Sequence, residues 1–96
     1  MSALHHASHF GYENIVNFLL SAAPADLIDL SENERGQTAL HKAAQHRQHN
    51  ICQMLASWGA SLSKLDNQGL TPKQLAAKAG DEELAATLER KAPLIT

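Results

Sequence analysis

Six histidines in a chain of 96 residues are the first side chains to test for chemistry. His5 and His9 stand four residues apart, which on a helix puts both imidazoles on one face and within reach of a shared metal ion. A closed zinc site takes about four ligands, commonly with thiolates among them. The chain has a single cysteine, Cys52, so no metal and no cofactor is expected. His49 and Cys52, three residues apart, place a base beside a thiol. Cys52 also lies in the apolar run Ile51, Cys52, Leu55, however, where it reads as a small buried hydrophobe. Glu82 and Glu83 open a helix and complement its dipole rather than forming an acid/base pair. With no glycine-rich phosphate loop and no nucleophile elbow, no catalytic residue is assigned, and the chain by itself is not expected to be an enzyme.

The elements that position these residues repeat. Gly36-Gln37-Thr38-Ala39-Leu40-His41-Lys42-Ala43-Ala44 recurs downstream as Gly69-Leu70-Thr71-Pro72-Lys73-Gln74-Leu75-Ala76-Ala77, and upstream as Ser2-Ala3-Leu4-His5-His6-Ala7-Ser8. Thr38 to Thr71 is a step of 33 residues. Each unit reads as two short helices after a turn. The first unit predicts helices over 3–9 and 13–22 with Gly11 as the reversal between them, the second helix carrying the stripe Ile15, Val16, Leu19 and Leu20. Pro24 ends that helix, and Ala25–Arg35 makes a connection about three residues longer than the period requires. In that connection Leu27, Ile28 and Leu30 are expected to tuck against the helices, and Asp26, Asp29, Glu32 and Glu34 to stay in water.

In the second unit Thr38 is the expected helix cap, and the second helix runs over 49–58 with Gly59 just past its end. Arg47 stands where the neighbouring units have Gly11 and Gly80, which places a non-glycine residue at a candidate left-handed position. In the third unit Thr71 caps a helix with Pro72 at its first position, where the missing N–H costs nothing. Lys73, Gln74 and Glu89 then replace residues that the pattern makes apolar or histidine, as a terminal capping unit requires. This unit is expected to end the array, before a mobile tail. The first unit lacks the turn that precedes the others, so Met1 is read as an initiator set before a chain cut within a repeat, with an uncovered front face.

Composition bounds the rest. With 44% apolar and only 4% aromatic residues, the core must be built from Ala and Leu. No apolar run reaches the roughly 20 residues of a spanning helix and the N-terminus has no signal-peptide pattern, so neither membrane insertion nor secretion is indicated. An unpaired cysteine fits a reducing location, cytoplasmic or nuclear. The net charge of −2 argues against general nucleic-acid binding. Residues 1–34 carry five acids and no Lys or Arg, while 35–96 carry all eight bases and the other five acids, so the chain is polarised along its length.

The T-[AP]-L-H-x-A-A pattern at this period resembles the ankyrin-repeat family. The resemblance implies an all-α solenoid of about three helix-turn-helix repeats with β-turn or hairpin tips. They divide as 2–35, 36–68 and 69–91 within a domain over 1–91, with a tail over 92–96. It also implies that His5 and His41 hydrogen-bond a threonine hydroxyl and nearby loop backbone, with Thr38, Thr71, Pro72, Gly11, Gly59 and Gly80 as the structural framework. Partners of this family usually bind the turn tips and the exposed side of the first helices. By that rule the candidate groove residues are His6, His9, Phe10, Lys42, Gln45, His46, Leu75 and Lys78. The candidate tip residues are Glu32, Glu34, Arg35, Asp66 and Asn67.

Ile51-Cys52-Gln53-Met54-Leu55, Gly59-Ala60-Ser61-Leu62 and Ala79-Gly80-Asp81-Glu82-Glu83-Leu84-Ala85 narrow this further. Together they are similar to the C-terminal ankyrin region of type IV diacylglycerol kinases, the zeta and iota kind. That implies a regulatory protein-interaction module of an ATP-dependent lipid kinase, although this chain departs from those enzymes in ending Leu94-Ile95-Thr96. The alternatives are a free-standing small adaptor and a homotypic or kinase-docking module joined through the acidic front and basic back.

Overall fold

The computed structural model describes residues 3–22, 28–31 and 35–90, with the side chain of Arg90 excepted. Among these residues six α-helices follow one another: α1 (Ala3–Phe10), α2 (Glu13–Ala22), α3 (Ala39–Gln45), α4 (His49–Ser57), α5 (Pro72–Lys78) and α6 (Glu82–Arg90). They pair as hairpins α1–α2, α3–α4 and α5–α6. The hairpins stack so that α1, α3 and α5 form one layer and α2, α4 and α6 the other.

Local sequence accounts for the helix ends. Thr38 caps α3 by accepting from the His41 amide at 3.3 Å, while His41 Nδ1 accepts from the Thr38 amide at 3.1 Å, a reciprocal capping box. Thr71 and Gln74 make the same exchange at α5, at 3.2 and 2.9 Å, so Gln74 takes over the local half of the histidine's work. Asp81 caps α6 by accepting from the Leu84 amide at 3.0 Å. At Gly11, φ is +81°, a left-handed conformation that favours glycine, and an added Cβ would displace only the end of the Gln48 side chain, 2.8 Å away. Arg47, at the equivalent point between α3 and α4, has φ +58° and is the only non-glycine residue with positive φ among those described.

The core runs through all three hairpins: Ala7, Val16 and Leu20 from the first, Leu40, Ala43, Ala44, Ile51, Cys52 and Leu55 from the second, and Ala76, Leu84 and Leu88 from the third. Alanines at the α3 and α5 contacts let the helices approach closely, which is how a core nearly free of aromatic rings still packs.

Several expectations need correction. α1 extends to Phe10, and α4 ends at Ser57 with Trp58 as its C-cap residue. No strand forms at the tips among the described residues. The tip at 66–69 is a turn instead, in which Asp66 N–H bonds Leu70 O and Asn67 N–H bonds Arg35 O. Ile15 is not in the core but 49% exposed. In the long connection Ile28 is buried as expected, but Leu30 is exposed. Asp29 is fastened to the next repeat, its Oδ1 accepting from the Ser61 amide at 2.7 Å and its carbonyl from Lys64 Nζ at 2.9 Å. The expectations for Asp26, Leu27, Glu32 and Glu34 and for the tail lie outside the described residues.

Candidate functional site

The first helices of successive hairpins are tied by one recurring contact. His5 Nε2 donates to Gln37 O at 2.8 Å, and His41 Nε2 donates to Leu70 O at 2.9 Å. Gln37 and Leu70 each immediately precede a capping threonine, so His5 and His41 each reach the residue before the next cap. The sequence separations are 32 and 29, and the difference is the three extra residues of the first connection. In the third repeat Gln74 closes only its own cap.

His41 is fully buried and its tautomer follows from its partners: Nδ1 accepts the Thr38 amide, so Nε2 carries the hydrogen that Leu70 receives. Burial pushes its pKa down, and the Leu70 carbonyl and the Asp66 carboxylate only partly oppose that. Asp66 is itself 7% exposed and spends its Oδ1 on the amides of Gln68 and Leu70, both at 2.9 Å. Burial opposes its ionisation, but these two amides, with help from His41 and Gln37, hold its pKa below the usual carboxylate value. Asp66 is therefore an internal brace of the tip, not the exposed contact residue the sequence suggested.

On the same layer α1 and α3 bring together a cluster of rings. His9 and His46 meet tilted, with centroids 3.8 Å apart, Phe10 lies 4.4 Å from His9 and 4.8 Å from His6, and Tyr12 stacks on Phe10 at 5.9 Å. Burial is the main cause that lowers the pKa of both His9 and His46, with Lys42 adding repulsion to each. Lys42 is itself lowered, first by burial and then by Arg35. Cations thus crowd this face, and neither Lys42 nor Lys78 has an ion-pair partner among the described residues.

Between α3 and α5 lies a recess of about 420 Å³ lined by Arg35, Gln37, Gln45, Gln68, Leu75 and Lys78. Gln37 Nε2 donates to Gln45 Oε1 at 3.3 Å across it. Leu75, expected on the exposed side of the groove, is only 6% exposed and serves as apolar lining of the recess. Of the other sequence-derived candidates, His6, Phe10, His46, Arg35, Asn67 and Lys78 are exposed and His9, Lys42 and Gln45 half-buried, while Glu32 and Glu34 lie outside the described residues. Gln37 and Tyr12 belong to this surface and were not singled out in the sequence. Gln37 carries no periodic signal, and Tyr12 occupies a position filled by Gln48 and Asp81 in the other repeats.

On the opposite layer, too, contacts cross between repeats. His49 Nε2 bonds Asp81 Oδ2 at 2.5 Å, joining the start of α4 to the cap of α6. Cys52 beneath them is buried, its thiol pushed up to about 12 by burial and then by Asp81, which leaves it protonated and inert near neutral pH. No group of three or more metal-ligating side chains occurs among the described residues. No helix among them is long and apolar enough to cross a membrane.

A family model described as ankyrin repeats, in three copies, matches residues 4–92. The chain is 47% identical over 90 residues to diacylglycerol kinase iota of Homo sapiens, which covers 94% of this chain and 8% of that protein. It is 49% identical over 88 residues to diacylglycerol kinase zeta of Rattus norvegicus, covering 92% of this chain and 9% of the kinase. A third relative, synphilin-1 of Mus musculus, is 34% identical over 80 residues, covering 82% of this chain and 8% of that protein. The chain therefore spans about a tenth or less of the length of the curated relatives it matches.

Proposed function

The chain belongs to the ankyrin-repeat family, and from that premise we propose that it is the protein-interaction and regulatory module of a diacylglycerol-kinase-like protein of the zeta and iota kind, acting in lipid signalling. The observation that carries this reading is the 47–49% identity to those kinases across more than nine-tenths of the chain. Its own chemistry is binding. The groove face combines exposed rings, two lysines, Lys42 and Lys78, without an ion-pair partner among the described residues, and a recess, whereas the thiol that could have served as a nucleophile is sealed in the core. Within this reading the contacting residues are His6, His9, Phe10, Lys42, Gln45, His46 and Lys78, with Arg35 and Asn67 at the tips. Leu75 contributes as apolar lining.

The test is to probe extract of the source cells with an antibody against this chain. A native polypeptide much larger than 10.4 kDa that carries diacylglycerol kinase activity on immunoprecipitation is the expected result. A single band near 10.4 kDa would instead establish a free-standing adaptor, and the kinase likeness would then describe ancestry alone. The polarised charge favours a second reading, homotypic or kinase-domain docking of acidic front against basic back. Salt-sensitive self-association in sedimentation would support it, and a monomer at low salt would exclude the homotypic form.

A further inference from the structure

We propose that His9 and His46 form an acid-sensitive latch between the first two repeats: protonation of the pair undocks α1 from α3 and dismantles the groove that the two helices share. Such a latch operates whatever partner the groove takes, and so goes beyond the reading above.

The pair is built across the joint. His9 lies in the last turn of α1 and His46 is the C-cap residue of α3, and their rings face each other with centroids 3.8 Å apart and planes tilted by 40°. Neutral rings at this distance attract, whereas two imidazolium ions so placed repel each other. The neutral pair works together with two hydrogen bonds, His5 Nε2 to Gln37 O at 2.8 Å and Gln48 Nε2 to His9 O at 3.2 Å, to hold the first repeat on the second. His9 Nδ1 is shut off from water and has no hydrogen-bond partner among the described residues. An imidazolium carries hydrogen on both nitrogens, so in the closed joint its Nδ1–H would find neither water nor an acceptor.

No neighbouring acid offsets these costs. Besides each other, the charged groups that act on the two rings are His6 of α1, on His9, and Lys42 of α3, on both; each is adverse, and Arg35 stands beside Lys42. On the other side of α3, α5 brings Lys78 and Lys73, the latter paired with Glu89 of α6, and no acid. The carboxylates of the flanking elements are engaged elsewhere. Glu13 of α2 accepts from Asn50 Nδ2 at 3.1 Å, Asp66 holds the tip amides, and Asp81 bonds His49 of α4 and faces Arg47. The remaining imidazole of this layer, His41, is turned inward to Leu70 O. The open joint therefore takes up protons that the closed joint refuses, and falling pH shifts the population towards opening. His6 and Phe10 stand on one side of the joint and Lys42 on the other, so opening separates the groove candidates from one another.

The experiment is native-state hydrogen exchange on the whole chain at about pH 7.5 and about pH 5.5, corrected for the intrinsic pH dependence of exchange. A repeat that loses its neighbour does not stay folded, so amide protection reports the opening. On acidification α1 and α2 should lose protection by about threefold to tenfold more than α5 and α6 do. His46→Phe, which keeps a ring against His9 but takes no proton, should remove that excess. Lys42→Glu, which supplies the missing carboxylate, should abolish the excess or reverse its sign, a gain at acid pH that misfolding could not produce.

Equal loss of protection in all three repeats would place the acid response in the fold as a whole and overturn the proposal. So would an excess that survives in His46→Phe, since it would then belong to another histidine such as His5. If His46→Phe is already open at about pH 7.5, Lys42→Glu decides by itself, and an undiminished acid loss in that variant rejects the latch.

Discussion

His41 Nε2 and the carbonyl of Leu70 lie 2.9 Å apart and join the capping box of the second repeat to the start of the third. The other ring nitrogen requires a neutral imidazole, because Nδ1 must keep its lone pair to accept from the Thr38 amide. A proton on Nδ1 would abolish one acceptor in a site from which water is excluded.

The stability of the chain should therefore fall on mild acidification. The pKa of His41 is lowered from 6.5 in the fold, first by burial, and those of His9 and His46 move the same way. The unfolded chain then binds more protons than the folded one at pH values below 6.5, so stability is complete above that value and is lost progressively beneath it. Urea midpoints should be level between about pH 8 and 7 and drop towards about pH 5. His41→Gln should keep the local cap, as Gln74 does, lose about 1–2 kcal/mol with the Leu70 bond, and flatten the pH profile. A midpoint that stays constant down to about pH 5 would rule out this account.

Ser8 is wholly buried and its hydroxyl has no hydrogen-bond partner among the described residues. The equivalent residue in the second repeat is Ala44, also fully buried. Ser8→Ala should stabilise the chain by about 1 kcal/mol, since it removes an unsatisfied polar group and leaves almost no cavity. A thermal melt would show the gain as a higher midpoint, and an unchanged or lower midpoint would mean that the hydroxyl is satisfied in solution.

Arg47 occupies the left-handed position that Gly11 and Gly80 hold in the other repeats, at φ +58°. Relief of this strain is worth roughly 1–2 kcal/mol and is partly offset by the greater freedom of glycine in the unfolded chain. Arg47→Gly should thus raise the denaturation midpoint modestly, by about 1 kcal/mol in stability. A lower midpoint would show that Arg47 contributes more through its charge near Asp81 than it costs in strain.

Ile15 and Ile51 occupy the same position in consecutive second helices, yet one is 49% exposed and the other 1%. Ile51→Ala should cost about 2–5 kcal/mol, whereas Ile15→Ala should cost well under half as much because water already reaches its side chain. Chemical denaturation of the two variants compares them directly, and equal losses would mean that the face of the first repeat is covered in solution.

Much of this protein could be read along the chain. The repeat period, the helix starts at Thr38 and Thr71 and the reversal at Gly11 are set by residues within one or two turns of each other. Capping, left-handed turns and helical stripes are local in their physics. The tertiary structure decided what depends on a neighbouring hairpin. It turned Asp66 inward, moved Leu75 from the exposed side into the lining of a recess, set His9 against His46 and drew Asp81 onto His49. Ile15 shows the reason most plainly. Its sequence environment is that of Ile51 and Leu84, but those two have a hairpin packed before them in the structure, and Ile15 has none among the described residues. Burial belongs to the packing of repeats, and a single repeat's sequence does not contain it.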